Sequence, residues 1–89
     1  MNTEKTFADR LKELRNIRNY TQEELGKITN ISVQSIRRYE QGRLNEEPSA
    51  YNLLQLAKAL DVTPEYLLIG DNNMTSYTEA IKRELKQLN

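Results

Sequence analysis

The stretch NISVQSIRRYEQG, residues 30 to 42, sets the adjacent Arg37 and Arg38 between Gln34 and Gln41, with Ser32, Ser35 and Tyr39 among them. Arginine and glutamine end in flat groups that hydrogen-bond in pairs: a guanidinium grips two acceptors on one edge, and a carboxamide offers a donor beside an acceptor. Such groups suit a flat polar edge or an anion. Two neighbouring arginines alone, however, more often mark a solvated helix face, so their meaning depends on the elements that hold them. Catalytic chemistry has little to work with. The chain has no cysteine and no histidine, which removes thiolate nucleophiles, imidazole bases, disulfides and the usual zinc sets. The carboxylate pairs have plainer uses: Glu23-Glu24 suits the positive end of a helix, and Glu46-Glu47 a solvated loop or a helix lead-in. No third group or phosphate-cradling loop accompanies either pair. The expectation is no enzyme, no catalytic residues, no metal, no cofactor and no small-molecule ligand.

With 89 residues the chain is one small domain with a single core. Its longest strongly apolar run, Tyr66 to Ile69, is four residues, against the roughly 20 that span a bilayer. The N-terminal MNTEKTFADR has no apolar signal region. A soluble cytoplasmic protein without a membrane partner is expected. The formal charge is zero, but residues 1 to 43 carry nine Lys/Arg and six Asp/Glu (+3) and residues 44 to 89 four and seven (−3). The basic half is the one that holds Arg37 and Arg38.

Apolar residues recur at helical period, and Ser or Thr precedes nearly every such segment. Thr6, with Asp9 three residues on, starts a first helix with the stripe Phe7, Leu11, Leu14, Ile17, and Asn19-Tyr20 ends it. Thr21 caps a second, with Leu25 and Ile28 expected to face inward. Ser32 caps a third through Gln41, closed by Gly42. Ser49 caps a fourth with the stripe Leu53, Leu56, Ala57, Leu60, and Thr63-Pro64 opens a fifth that ends at Gly70. Residues 71 to 75 read as a short linker, and Ser76 with Glu79 starts a last helix bearing Tyr77, Ile81, Leu85 and Leu88 on one side.

The second and third helices are separated only by Thr29-Asn30-Ile31, so they must cross steeply. One residue at the bend needs a left-handed conformation, which Asn tolerates better than other non-glycine residues, and Gly26 lets the helices approach closely. This is a helix-turn-helix pattern. With Ile36 set toward the core at about 100° per residue, Tyr39, Glu40 and Val33 fall within roughly 60° of it. Gln34, Arg38 and Gln41 then face outward, flanked by Ser35 and Arg37. Glu40 points inward and needs a cation, since a buried unpaired carboxylate is costly. Arg15 is the candidate partner. Their pairing would remove the nearest negative neighbour of Arg37, Arg38 and Arg43.

The run LKELRNIRNYTQEELGKITNISVQSIRRYEQG followed by LLQLAKALDVTPEYLL resembles the Cro/CI-type helix-turn-helix family of phage repressors and XRE-like regulators, over about residues 7 to 69. TQEEL, SIRRYEQG and the LAKALDV-to-LL close carry the resemblance through their joint order and spacing. It implies an all-α, compact five-helix bundle of the lambda-repressor-like DNA-binding type over residues 1 to 70, here with an additional C-terminal helix. It further implies a third helix in the DNA major groove and a homodimer on an inverted-repeat double-stranded operator, most simply as a repressor. Carried over by position, it puts Ser32, Val33, Gln34 and Arg38 at base edges, in keeping with Arg on guanine, Gln on adenine and Val on a thymine methyl. It puts Gln22 and Arg43 at phosphates, and leaves Ser35 and Arg37 open to either use; here they are grouped with the phosphate contacts. Arg15 and Glu40 resemble an internal salt bridge.

Two positions depart from the family pattern. The loop RLNEEP places Glu46 and Glu47 where relatives often carry cations, which predicts weak sequence-independent binding through a handful of phosphates and a shallow salt dependence. Val33 stands where polar residues are common. The last helix, with Tyr77, Ile81, Leu85 and Leu88, either packs back on the bundle or pairs with a second copy, and residues 70 to 75 could instead lead to a further domain. The alternative function is a protein-interaction module of antitoxin or anti-repressor type using the same fold.

Overall fold

The computed structural model describes residues 5–43 and 47–70; the last helix of the sequence reading, with Tyr77, Ile81, Leu85 and Leu88, and the loop residue Glu46 lie outside the described residues. The described chain is all-helical: α1 (Phe7–Ile17), α2 (Gln22–Thr29), α3 (Val33–Gln41), α4 (Ala50–Leu60) and α5 (Pro64–Ile69). Each start is fixed locally. The hydroxyls of Thr6, Thr21, Ser32, Ser49 and Thr63 accept from the backbone N–H groups of Asp9, Glu24, Ser35, Asn52 and Tyr66. Each satisfies one donor that the first helical turn leaves unpaired. Asp9 and Glu24 reciprocate by accepting from Thr6 N at 3.1 Å and Thr21 N at 2.8 Å. That hydrogen bond is the main reason the Asp9 carboxyl titrates below the ordinary carboxylate range.

The helices bury one stripe each. α1 packs on α3 and α5, α2 on α3 and α4, and α4 on α5. Leu11, Leu25, Ile31, Ile36, Tyr39, Leu56, Leu60 and Leu67 form the core, edged by Phe7, Leu14, Tyr20, Leu53, Ala59 and Val62. Fully burying a Leu or Ile side chain contributes about 1.5–3 kcal/mol before entropy is counted, so these few residues dominate stability.

Two expected core residues are outside. Ile17 is 66% and Ile28 52% exposed. Ile17 lies six residues beyond Leu11, which turns it about 120° away around the axis. On α2 the inward row is Leu25–Thr29 rather than Leu25–Ile28. Thr29 is 2% exposed, and its hydroxyl donates to Leu25 O at 2.7 Å, which makes its burial tolerable.

The bend between α2 and α3 is made by Asn30, left-handed at φ 59, and Ile31 N donates back to Gly26 O at 3.0 Å. A Cβ on Gly26 would lie 2.8 Å from the Ile31 carbonyl oxygen. Gly26→Ala gains up to about 1 kcal/mol of helix propensity but drives a methyl into fixed backbone, a 1–3 kcal/mol penalty, so a net loss near 1–2 kcal/mol is expected in urea unfolding. An unchanged midpoint would mean that the turn gives way.

Candidate nucleic-acid interface

The sequence reading placed Glu40 inside, and the buried side of α3 carries it there. Its side chain is 4% exposed, and Arg15 Nε and Nη2 donate to its two carboxylate oxygens at 2.7 and 3.0 Å. The guanidinium's planar fork matches the carboxylate, and that hydrogen bonding is the main cause of the raised Arg15 pKa. The third arm of Arg15, Nη1, donates to Tyr20 O at 2.8 Å, in the bend before the Thr21 cap. Gln22 Nε2 donates to Glu40 Oε1 at 3.1 Å. One carboxylate therefore ties together α1, the first residue of α2 and α3, and sets where Gln22 stands relative to the outward face of α3.

That outward face is presented as the projection requires. Ile36 is fully buried and Tyr39 nearly so, while Gln34, Arg37, Arg38 and Gln41 are exposed and Val33 and Ser35 half-buried. Ser32 is exposed at the N-terminal end. Its hydroxyl hydrogen-bonds to Ser35 Oγ at 3.0 Å, and Arg38 Nη2 donates to the same Ser35 oxygen at 3.4 Å. Arg38 thus leans toward the end of α3 that holds Ser32, Val33 and Gln34. Gly42, left-handed at φ 75, ends the helix, and Arg43 follows it exposed.

The charge pattern differs from the sequence reading in one respect. Glu40 is consumed internally, but Arg37 has another acid nearby: its Nη2 lies 3.4 Å from Glu23 Oε2, across from the first turn of α2. Glu47 is exposed in the loop before α4. Tyr39 is buried, with its hydroxyl accepting from Asn52 Nδ2 at 3.0 Å and its ring edge-on to Phe7. Tyr51 is 62% exposed.

Sequence reasoning missed Arg10. It is 6% exposed, and its Nε, Nη1 and Nη2 donate to Leu67 O at 2.9 Å, Lys5 O at 2.6 Å and Leu68 O at 2.6 Å. Two of these are carbonyls of the last turn of α5, which lack intrahelical partners. The available signal was position: Arg10 stands three residues from Phe7 and next to Leu11, on the inner side of the first helix. Among the described residues, no group of three or more acidic side chains is arranged to hold a metal ion, and no helix is long and apolar enough to cross a membrane.

Two short helices crossed at a left-handed Asn, the second exposing a row of Gln and Arg over a buried ion pair, define a helix-turn-helix domain. The chain belongs to the helix-turn-helix family, whose model matches residues 11–67. It is 38% identical over 76 residues to repressor protein C2 of Salmonella phage P22, covering 85% of this chain and 34% of that protein. It is 34% identical over 68 residues to the HTH-type transcriptional regulator DicA of Escherichia coli (strain K12), covering 76% and 49%. The chain thus spans less than half the length of either relative. The crystal structure of the P22 c2 repressor in complex with synthetic operator 9T is similar at a TM-score of 0.70 and 35% identity, over 76% of this chain and 100% of that one.

Proposed function

We propose that this chain is a sequence-specific double-stranded DNA-binding transcriptional repressor, acting in the cytoplasm by occluding a promoter. The observation that carries the reading is the outward row of α3, with Gln34 and Arg38 exposed beside the Ser32 cap and the helix held from behind by Arg15–Glu40. α3 enters the major groove. Arg38 grips guanine O6 and N7, Gln34 pairs with adenine, Val33 touches a thymine methyl, and Ser32 serves either. Gln22, Ser35, Arg37 and Arg43 meet phosphates, which position the domain without reading sequence. For Gln22, one amide hydrogen stays with Glu40 while the second and the α2 backbone N–H groups turn to the phosphate. The similarity to a repressor solved with its operator supports this assignment.

The repressor acts as a homodimer on an inverted repeat, with half-sites about one turn, ~34 Å, apart. Residues 1 to 70 form the reading domain, 71 to 75 a linker, and 76 to 89 a helix whose Tyr77, Ile81, Leu85 and Leu88 contribute to dimerisation. Exposed Leu68 and Ile69 at the end of α5 supply further apolar surface for it. Binding, not turnover, is the activity. Selection from a random duplex pool with the purified chain, at low and near-physiological salt, tests the reading. An inverted repeat is expected; an unrepeated half-site removes the dimer, and no enrichment at either salt returns the fold to a protein-partner role.

A further inference from the structure

Among the described residues, Glu23 brings a carboxylate across to the α3 reading face. It follows Gln22 on the first turn of α2, and its Oε2 lies 3.4 Å from Arg37 Nη2. The neighbouring Glu24 is committed to the Thr21 backbone N–H at 2.8 Å, so Glu23 alone of the two reaches toward α3. Glu23 also lines the concavity between α2 and α3 that it shares with Lys27, Asn30, Ser32 and Val33. Both partners of the pair are open to solvent, with side chains 49% and 63% exposed. An exposed ion pair of this length is weak and salt-screened, so it competes with an incoming anion without locking Arg37 away.

Resting on the reading of Arg37 as a phosphate contact, we propose that Glu23 is a built-in brake on sequence-independent DNA affinity. It occupies Arg37 in the free protein, so that a phosphate contact there exchanges the Glu23 carboxylate for the phosphate anion. A duplex phosphate then gains Arg37 only by displacing Glu23, and one contact that composition would credit to backbone binding is weakened by that displacement. This adds a specific residue to the low basicity of the surface, and it acts equally on every sequence because the phosphates carry none.

The test measures binding of a non-operator duplex across a salt series for wild type, Glu23→Gln, Arg37→Gln and the double variant. Glu65→Gln on α5 serves as the equal-charge control. Glu23→Gln is expected to bind several-fold more tightly at low salt, with the slope of log affinity against log salt steeper by about one phosphate, ~0.9. That gain should vanish in the Arg37→Gln background and be absent from Glu65→Gln. A gain that persists without Arg37 would mean that Glu23 merely repels DNA directly, and a gain matched by Glu65→Gln would mean that net charge alone acts; either overturns the proposal. Duplex bound equally by wild type and Glu23→Gln overturns this inference alone. Duplex bound by neither even at low salt also overturns this inference, and only together with no enrichment from the random duplex pool does it overturn the DNA-binding reading as well.

Discussion

Glu40→Ala is expected to destabilise the domain by about 3–5 kcal/mol, the cost typical of removing one partner from a buried ion pair. The deletion leaves the Arg15 guanidinium, 12% exposed, with only Tyr20 O from its three contacts, and it strands Gln22 Nε2. For a domain of this size each kcal/mol moves the melting temperature by roughly 4–8 °C, so the shift should be plain in a thermal melt followed by circular dichroism. The double variant Arg15→Met, Glu40→Leu should recover much of the loss, since an apolar pair of similar volume removes both charges from the interior. A melting temperature that Glu40→Ala leaves unchanged would sink the view that this pair holds α1, α2 and α3 in register.

Arg38→Ala and Arg43→Ala should separate on DNA. Arg38 stands one turn from Gln34 on the exposed face of α3, whereas Arg43 follows the Gly42 cap, beyond the helix. Loss of a two-bond guanine contact costs about 1–3 kcal/mol on the best site and relaxes preference at one base pair. Loss of a phosphate contact weakens all sequences alike and lowers the salt slope by about one phosphate. Competition binding against operators altered one pair at a time reads both quantities. Identical behaviour of the two variants would undo the division between base and backbone roles.

Much of the fold was legible because its signals are local. A hydroxyl before an apolar stripe, an acid three residues later, a Gly or Asn where the backbone must turn left-handed: each acts within a few residues, and Thr6, Thr21, Ser32, Asn30 and Gly42 adopt the conformations their chemistry favours. The inward position of Glu40 was legible by projection, since α3 is short and centred on Ile36. What escaped was decided elsewhere in the molecule. A stripe read at three- and four-residue spacing does not say where its buried part ends: Ile17 is turned about 120° from Leu11, and Thr29 rather than Ile28 continues the inward row of α2, so both isoleucines are exposed. Thr29 and Arg10 read as surface residues by type, yet both are buried, because carbonyl groups happen to stand where their donors can reach. The Glu23–Arg37 approach depends on the crossing of α2 and α3, which sequence spacing constrains only loosely.

Arg10 has a consequence for how the molecule comes apart. The guanidinium joins a carbonyl five residues before it to carbonyls 57 and 58 residues after it. Short helices at the edge of small helical domains ordinarily open locally before the core does. Here α5, only six residues long, is clasped to the opening turn of α1, so its last turn cannot peel away without releasing the Arg10 guanidinium and its hold on Lys5. These two edges of the five-helix unit open together.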